Sequence, residues 1–263
     1  VPAMGIAGAA VATVAGQIVA GSLAVFLNYK YNPEVRVSFR KFKPDFPMIG
    51  KIYAVGAPSI VMQSIGSVMN IGMNQILLSF TDTAAAVFGI YFKLQSFFFM
   101  PVFGLTNGLV PIVAYNFGAK KRSRMIKAMK LSILYAEVIL ICGLLVFQIF
   151  PKFLLGFFNP SAEMLEIGPV ALRAISMSFP VAAFCIVCGT VFQALGHGMY
   201  SMWVSIARQL AVLLPVAFLL SLFDRLGLVW LAFPIAEVAS LVMTLIFLRR
   251  TYHKTIKHVE DNV

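Results

Sequence analysis

Of 263 residues, 60% are apolar and only 12% are charged, with a mean hydropathy of +0.89. A soluble core of this size cannot hide so much hydrocarbon, so the composition excludes an ordinary soluble domain and requires a bilayer as part of the solvent. The net charge of +11 does not point to nucleic acid, because the cations are not gathered into a basic domain interleaved with stacking aromatics.

Crossing the hydrocarbon layer takes roughly 20 mostly apolar residues. Such runs occupy 5–28, 52–80, 84–115, 125–150, 165–195, 199–222 and 227–248, which predicts an all-α polytopic membrane protein of about seven transmembrane helices. The first run lacks a basic segment ahead of it and a small-residue cleavage site, so it is not read as a signal peptide. The sequence opens on Val1 rather than Met, and the expectation is that its true start lies upstream.

The basic residues fall in alternate loops. Lys30, Arg36, Arg40, Lys41, Lys43 and Lys51 follow the first run; Lys120, Lys121, Arg122, Arg124, Lys127 and Lys130 separate the third from the fourth; Arg249, Arg250, Lys254 and Lys257 follow the last. The opposite side has only Lys152 and Arg225. The positive-inside rule then predicts a multi-pass protein of the cell membrane with a cytoplasmic C-terminus and an external first residue. An external start suggests that an odd number of helices precedes this segment. The expected organisation is a first helix at 1–29 that closes a preceding N-terminal lobe, a cytoplasmic interfacial linker at 30–50 with alternating phenylalanines and cations, a six-helix lobe at 51–250 and a basic cytoplasmic tail at 251–263. A short repeat, Gly5-Ile6-Ala7-Gly8-Ala9-Ala10 against Gly227-Leu228-Val229-Trp230-Leu231-Ala232, fits a second copy of one lobe. Prolines inside the runs (Pro58, Pro101, Pro111, Pro180, Pro215, Pro234) each remove a backbone donor and bend or break a helix.

Polar groups inside a span carry weight because hydrocarbon offers them no partner. In the second run Ser59, Gln63, Ser67, Asn70 and Asn74 step by four, four, three and four, which keeps them on one helical face. That face is expected to line an aqueous or substrate cavity, with helix–helix hydrogen bonding as the other use of such residues. Lys93, about ten residues into the third run, is followed by Ser96. It reads either as structural, paired with a carboxylate, or as functional, tuning a neighbouring acid or repelling cations. Glu137 and Glu237 are the acids well inside spans, which makes them candidates for the coupling ion or a cationic substrate; the alternative is an ion pair with Lys93, Arg173 or Arg208. Arg173 and Arg208 read as helix-end or headgroup anchors. Ser176 and Pro180 extend the expected cavity into the fifth run, and Phe97, Phe98, Met100 and Met177 would give it adaptable apolar walls.

Enzymatic chemistry is not expected. There is no HExxH, no phosphate-binding Gly-rich loop and no Ser/His/acid set within the spans, and His197, His253 and His258 all fall in loops or tail. Cys142, Cys185 and Cys188 lie in apolar runs, where packing is the ordinary role of the thiol. No cofactor or metal is expected, and without a nucleotide-binding motif any active transport would draw on a proton or sodium gradient.

The stretch Gly104-Leu105-Thr106-Asn107-Gly108-Leu109-Val110-Pro111-Ile112-Val113-Ala114-Tyr115-Asn116-Phe117-Gly118-Ala119-Lys120-Lys121 resembles the helix-end signature of multidrug and toxic compound extrusion (MATE) transporters. Val191-Phe192-Gln193-Ala194-Leu195-Gly196-His197-Gly198 with Ser205-Ile206-Ala207-Arg208-Gln209 and Pro215 is similar to that family's tenth and eleventh helices, and Pro234-Ile235-Ala236-Glu237 to its twelfth. The resemblance implies helices six to twelve of twelve, the last six forming one lobe of two, and alternating access of a central cavity. It also implies export of amphipathic, often cationic compounds against protons or sodium, with the bilayer and a missing N-terminal lobe as partners. The departures matter. An acid that some members carry in the tenth helix would fall near Phe184, where none stands, and an aspartate that others carry in the first helix has no counterpart in this sequence. A lipid or lipid-linked oligosaccharide flippase of the same superfamily is the alternative, and a non-transporting membrane protein a more distant one.

Overall fold

The structure, a computed structural model, describes residues 5–32 and 43–259. Much of the expected linker, including Arg36, Arg40 and Lys41, and the last residues of the tail lie outside the described residues. The chain divides into two compact units, residues 1–52 and 53–263.

In the first unit α1 (Gly5–Tyr31) is a 27-residue helix, and Val11, Ile18 and Phe26 stand exposed along it. At 1.5 Å per residue it is about 40 Å long, enough to cross a bilayer. The helix α2 (Phe46–Leu78) begins in this unit, where the Asp45 carboxylate accepts a hydrogen bond from the Met48 amide at 3.1 Å, the arrangement that satisfies a free donor at a helix start.

In the second unit the rest of α2 is followed by α3 (Asp82–Gly118), α4 (Arg122–Ile149), the short α5 (Pro151–Gly156), α6 (Ala162–Ser176), α7 (Phe179–Ala194) and α8 (Gly198–Ile206). A π-helical segment, Ala207–Leu213, carries α8 into α9 (Leu214–Ser221). A turn of helix, α10 (Leu226–Val229), precedes α11 (Ala232–Thr251), which ends in a second π-helical turn, Tyr252–Ile256. Among the described residues there is no strand. Among the described residues five helices are long and apolar enough to cross a membrane, or seven when Phe46–Tyr53 with Gly56–Leu78 and Ala162–Ser176 with Phe179–Ala194 each count as one span.

The breaks have local causes. The expected span 165–195 is two helices meeting at 46°, because Pro180 in the first turn of α7 has no N–H with which to continue the ladder of α6. The α3 start is capped by Thr81, whose hydroxyl accepts from the Thr83 amide at 3.3 Å. Across the chain, Glu163 accepts from the Thr81 hydroxyl at 2.9 Å and the Thr83 hydroxyl at 2.5 Å, tying the α6 start to the α3 start. After α7 the chain reverses at Gly196, whose φ of +80° is left-handed and free of strain only for glycine. The His197 amide then bonds back to the Phe192 carbonyl at 2.7 Å, the closing bond of a Schellman turn.

The core is aromatic. Tyr91, Phe147 and Phe179 meet edge to face, with centroids 6.3 and 5.3 Å apart, and Phe88 and Trp230 are buried beside them. Gly143 lets α3 and α4 close together, since a Cβ there would lie 2.8 Å from the Phe98 ring, the close approach that small residues permit between membrane helices. Outward, α4 and α11 present apolar side chains such as Leu134, Val138, Val238 and Val242, more than half exposed, as a lipid-facing surface requires.

Candidate functional site

A cavity of about 440 Å³ opens among α2, α3, α7, the π-helical segment and α11. Its walls are Met69, Phe92, Phe99, Met100, Phe103, Ile186 and Phe233, and its polar groups are Gln63, Asn70, Gln95, Ser96, Ser178, Arg208, Gln209 and Glu237, with Tyr91 at the back. Mostly apolar walls with a few converging polar groups are the usual constitution of a small-molecule site.

Its electrostatic centre is one ion pair. Arg208 Nη1 lies 2.8 Å from Glu237 Oε1, with the Arg208 side chain 30% and the Glu237 side chain 9% exposed. Arg208 comes from the π-helical segment and Glu237 from the early turns of α11. In that segment the Leu214 amide bonds to the Gln209 carbonyl five residues back, so one extra residue is looped out, a distortion frequent at functional sites. Two acceptors in the lining, Glu237 Oε2 and Gln95 Oε1, are buried without a hydrogen-bond donor among the described residues. Buried acceptors of this kind are normally satisfied, so this cavity is equipped to receive a donor or a cation.

The expected site residues are dispersed by the fold. Gln63, Asn70, Ser96, Met100 and Glu237 come together around the cavity. Ser67 is exposed on α2 outside the lining. Asn74 also stands outside it and turns its amide nitrogen onto Asn70, 2.9 Å from the carbonyl and 2.7 Å from Oδ1. Ser176 is buried between α4 and α6, donating to the Arg173 carbonyl and accepting from Gln148, both at 3.1 Å; the break in the span turns this stretch away from the cavity. Glu137 is half-buried on α4, away from the lining and without a salt bridge to a described residue. Of the four expected apolar wall residues Met100 alone lines the cavity; Phe98 is turned to Gly143 and Phe147, and Phe97 and Met177 are exposed.

Two readings of charge change with the structure, and a third gains a partner. Lys93 is exposed, its ammonium 5.9 Å from the Phe158 ring centroid and outside the cavity lining. Periodicity along one helix does not report which face packs inward. In addition α3, with 37 residues or about 55 Å, is nearly twice the hydrocarbon thickness, so depth counted from the start of its apolar run does not fix depth in the bilayer. Arg208, expected to anchor a helix end, lies midway along the span Gly198–Ser221 and is held there by Glu237. Arg173 does sit in the last turn of α6, but it donates to the Gln148 carbonyl at 3.1 Å, which makes it a tie between α4 and α6. Sequence reasoning missed Gln95 and Gln209, although the signal that singled out the α2 stripe, an amide inside an apolar run, was present for both.

An all-helical polytopic chain with a polar cavity held between its spans is the class of membrane protein that this fold and site define. Residues 58–219, more than half of the sequence, match the MatE family model, and the chain belongs to the MatE family. It is 27% identical over 252 residues to the multidrug export protein MepA of Staphylococcus aureus (strain MSSA476), a match covering 94% of this chain and 55% of that protein. The fold is similar to the MATE multidrug transporter DinF-BH, with a TM-score of 0.83 and 30% identity over 96% of this chain and 56% of that one. It is also similar to the outward-facing conformation of a multidrug resistance MATE family transporter, with a TM-score of 0.86 and 21% identity over 97% of this chain and 58% of that one. The chain thus spans about half the length of the curated relatives it matches.

Proposed function

We propose that the full-length protein is a secondary active exporter of amphipathic organic cations, located in the cell membrane, of which this chain supplies the C-terminal lobe and the helix before it. The single observation that carries the reading is the cavity in which Arg208 and Glu237 pair at 2.8 Å while Glu237 Oε2 and Gln95 Oε1 stand without donors. A cationic substrate supplies the missing donor. Its flat apolar body would lie on Phe92, Phe99, Met100 and Phe103, aromatic and thioether surfaces that accept varied shapes.

Coupling follows from competition for one carboxylate. A proton or sodium ion taken up at Glu237 weakens its hold on Arg208, and the released guanidinium repels a bound cation. Substrate and coupling ion then exclude one another, as antiport requires. Glu137 is the second candidate acid, and an acid in the missing N-terminal lobe a third. Alternating access would use the break between α6 and α7 and the π-helical segment, both of which contribute residues to the cavity wall; helices move most easily where their hydrogen-bond ladder is already interrupted. The excess of cations in alternate loops supports a cytoplasmic C-terminus in this reading.

The test is efflux of a fluorescent organic cation from vesicles containing the full-length protein, under separately imposed proton and sodium gradients. Gradient-driven efflux that is lost in Glu237→Gln supports the reading as stated. Efflux that survives both Glu237→Gln and Glu137→Gln moves coupling to the missing lobe. No cation efflux under either gradient would sink the exporter assignment and bring the flippase forward.

A further inference from the structure

A second cleft, of about 610 Å³, lies between the first turns of α4 and the last turns of α11, away from the ion pair. Its walls are apolar, formed by Ile126 and Met129 on one side and Leu245 and Leu248 on the other, and it carries two cations, Lys130 and Arg249. Among the described residues neither has a salt bridge and no acid lines the cleft. One end is closed by Tyr252, whose hydroxyl accepts from Arg122 Nη2 at 2.5 Å while the guanidinium lies 5.4 Å from the ring centroid. Two cations thus stand in the lining and a third, Arg122, on the ring that ends it. Like charges gathered this way raise one another's energy until an anion enters.

The two helices leave the cleft in the same direction, and each carries a hydrocarbon stripe away from its cation. On α4 the positions after Lys130 at steps of four, four, three and four are Leu134, Val138, Ile141 and Leu145, exposed by 41% to 55%. On α11, which runs the opposite way, stepping back from Arg249 by four, three and four gives Leu245, Val242 and Val238, exposed by 49% to 57%. Residues three and four apart share a helix face, so each stripe lies beneath its cation. Cations in the lining with an exposed apolar track along each helix beyond them complement one kind of molecule in a bilayer, a negative headgroup on hydrocarbon chains. A free phosphate would leave the tracks unused, and a soluble acidic peptide could not reach them.

We propose that this cleft is a binding site for an anionic phospholipid, its phosphate between Lys130 and Arg249 and its acyl chains along α4 and α11. Basic pockets between membrane helices hold lipid headgroups by the same attraction that draws juxtamembrane cations to acidic leaflets. A bound lipid bridges the α4 start to the α11 end, and so holds the closing contact between Arg122 and Tyr252 in place. This site does not depend on what the cavity transports.

The test uses the full-length protein purified in phosphatidylcholine-containing micelles and titrated with phosphatidylglycerol. Native mass spectrometry counts retained lipids, and thermal unfolding reports stabilisation. Preferential retention of phosphatidylglycerol with a raised melting temperature is expected, and Lys130→Gln with Arg249→Gln should weaken it about 10- to 30-fold, given roughly 1 kcal/mol per basic residue near a charged surface. Removing the same charge from the neighbouring turn, with Lys120→Gln and Arg124→Gln, should leave retention unchanged. Should the first pair fail to fold, Lys130→Gln alone, at an exposed side chain, should still weaken retention several-fold. Equal loss in the neighbouring-turn variant, no loss in either cleft variant, or equal stabilisation by inorganic phosphate alone would each overturn the proposal.

Discussion

The two clefts share a helix and differ in how they treat an arginine. Toward one end of α11, Glu237 meets Arg208 at 2.8 Å and the cavity around them is close to neutral. Toward the other, Arg249 and Lys130 face each other across apolar walls with no acid in the lining. Deep in a bilayer an unpaired charge is costly, so the carboxylate is the condition for keeping Arg208 there. At a helix end the cation reaches headgroups and water, and compensation can come from the lipid. Position along the helix thus decides whether a charge needs a partner in the chain.

The largest expected effect comes from breaking the compensated side. Glu237→Leu strands Arg208 in the cavity and should lower stability by about 2 to 3 kcal/mol, less than for a wholly buried pair because Arg208 keeps 30% exposure. Thermal unfolding in detergent measures this. The double variant Arg208→Leu with Glu237→Leu should recover most of the lost melting temperature while cation efflux stays absent, because an apolar pair fills the space without binding a cation. A double variant no more stable than the single would show that the pair is not coupled.

A change in scaffold common to both clefts ranks next. The turn at Gly196 ends α7, which walls the cavity through Ala182 and Ile186, and it sets His197 Nε2 3.1 Å from the Thr255 hydroxyl, just past the cleft's Tyr252. Gly196→Ala at φ +80° should cost about 1 kcal/mol of backbone strain and depress efflux and phosphatidylglycerol retention together. A drop in only one of them would separate the two sites mechanically.

Much of this architecture was legible in the sequence, and what was not has identifiable causes. Seven apolar runs and the alternation of basic loops carry the spans, since a bilayer imposes length and composition on any helix that crosses it. The stripe on α2 led to Gln63 and Asn70 at the cavity but also to Asn74, which hydrogen-bonds Asn70, because periodicity reports a face and not what occupies it. Arg208 was misplaced for a different reason. It reads as a helix-end anchor in the sequence although it lies midway along Gly198–Ser221. Its pairing with Glu237 is present there only as the alternative reading of that acid, because a pattern along one helix does not report which neighbouring helix packs against it. Ser176 was lost to the break before Pro180, whose presence was visible but whose angle was not. Gln95 and Gln209 were missed without such an excuse: each is an amide inside an apolar run, which is the same signal.

The smallest expected effect is at Lys93, and it separates exposure from burial more cleanly than the larger ones. Were this ammonium in the cavity, Lys93→Gln would alter cation efflux strongly by removing a positive charge from the substrate's surroundings. The structure instead sets it on the outside of α3, 5.9 Å from the Phe158 ring centroid, where a cation–π contact at an exposed site contributes roughly 0.5 to 1 kcal/mol at most. Lys93→Gln should therefore move stability by less than about 1 kcal/mol and leave efflux under either gradient as it was. A several-fold change in efflux would place the lysine in contact with the transported cation in some state of the cycle. The neutral balance argued for the cavity would then hold in one conformation only, with α3 turning its cation inward in another.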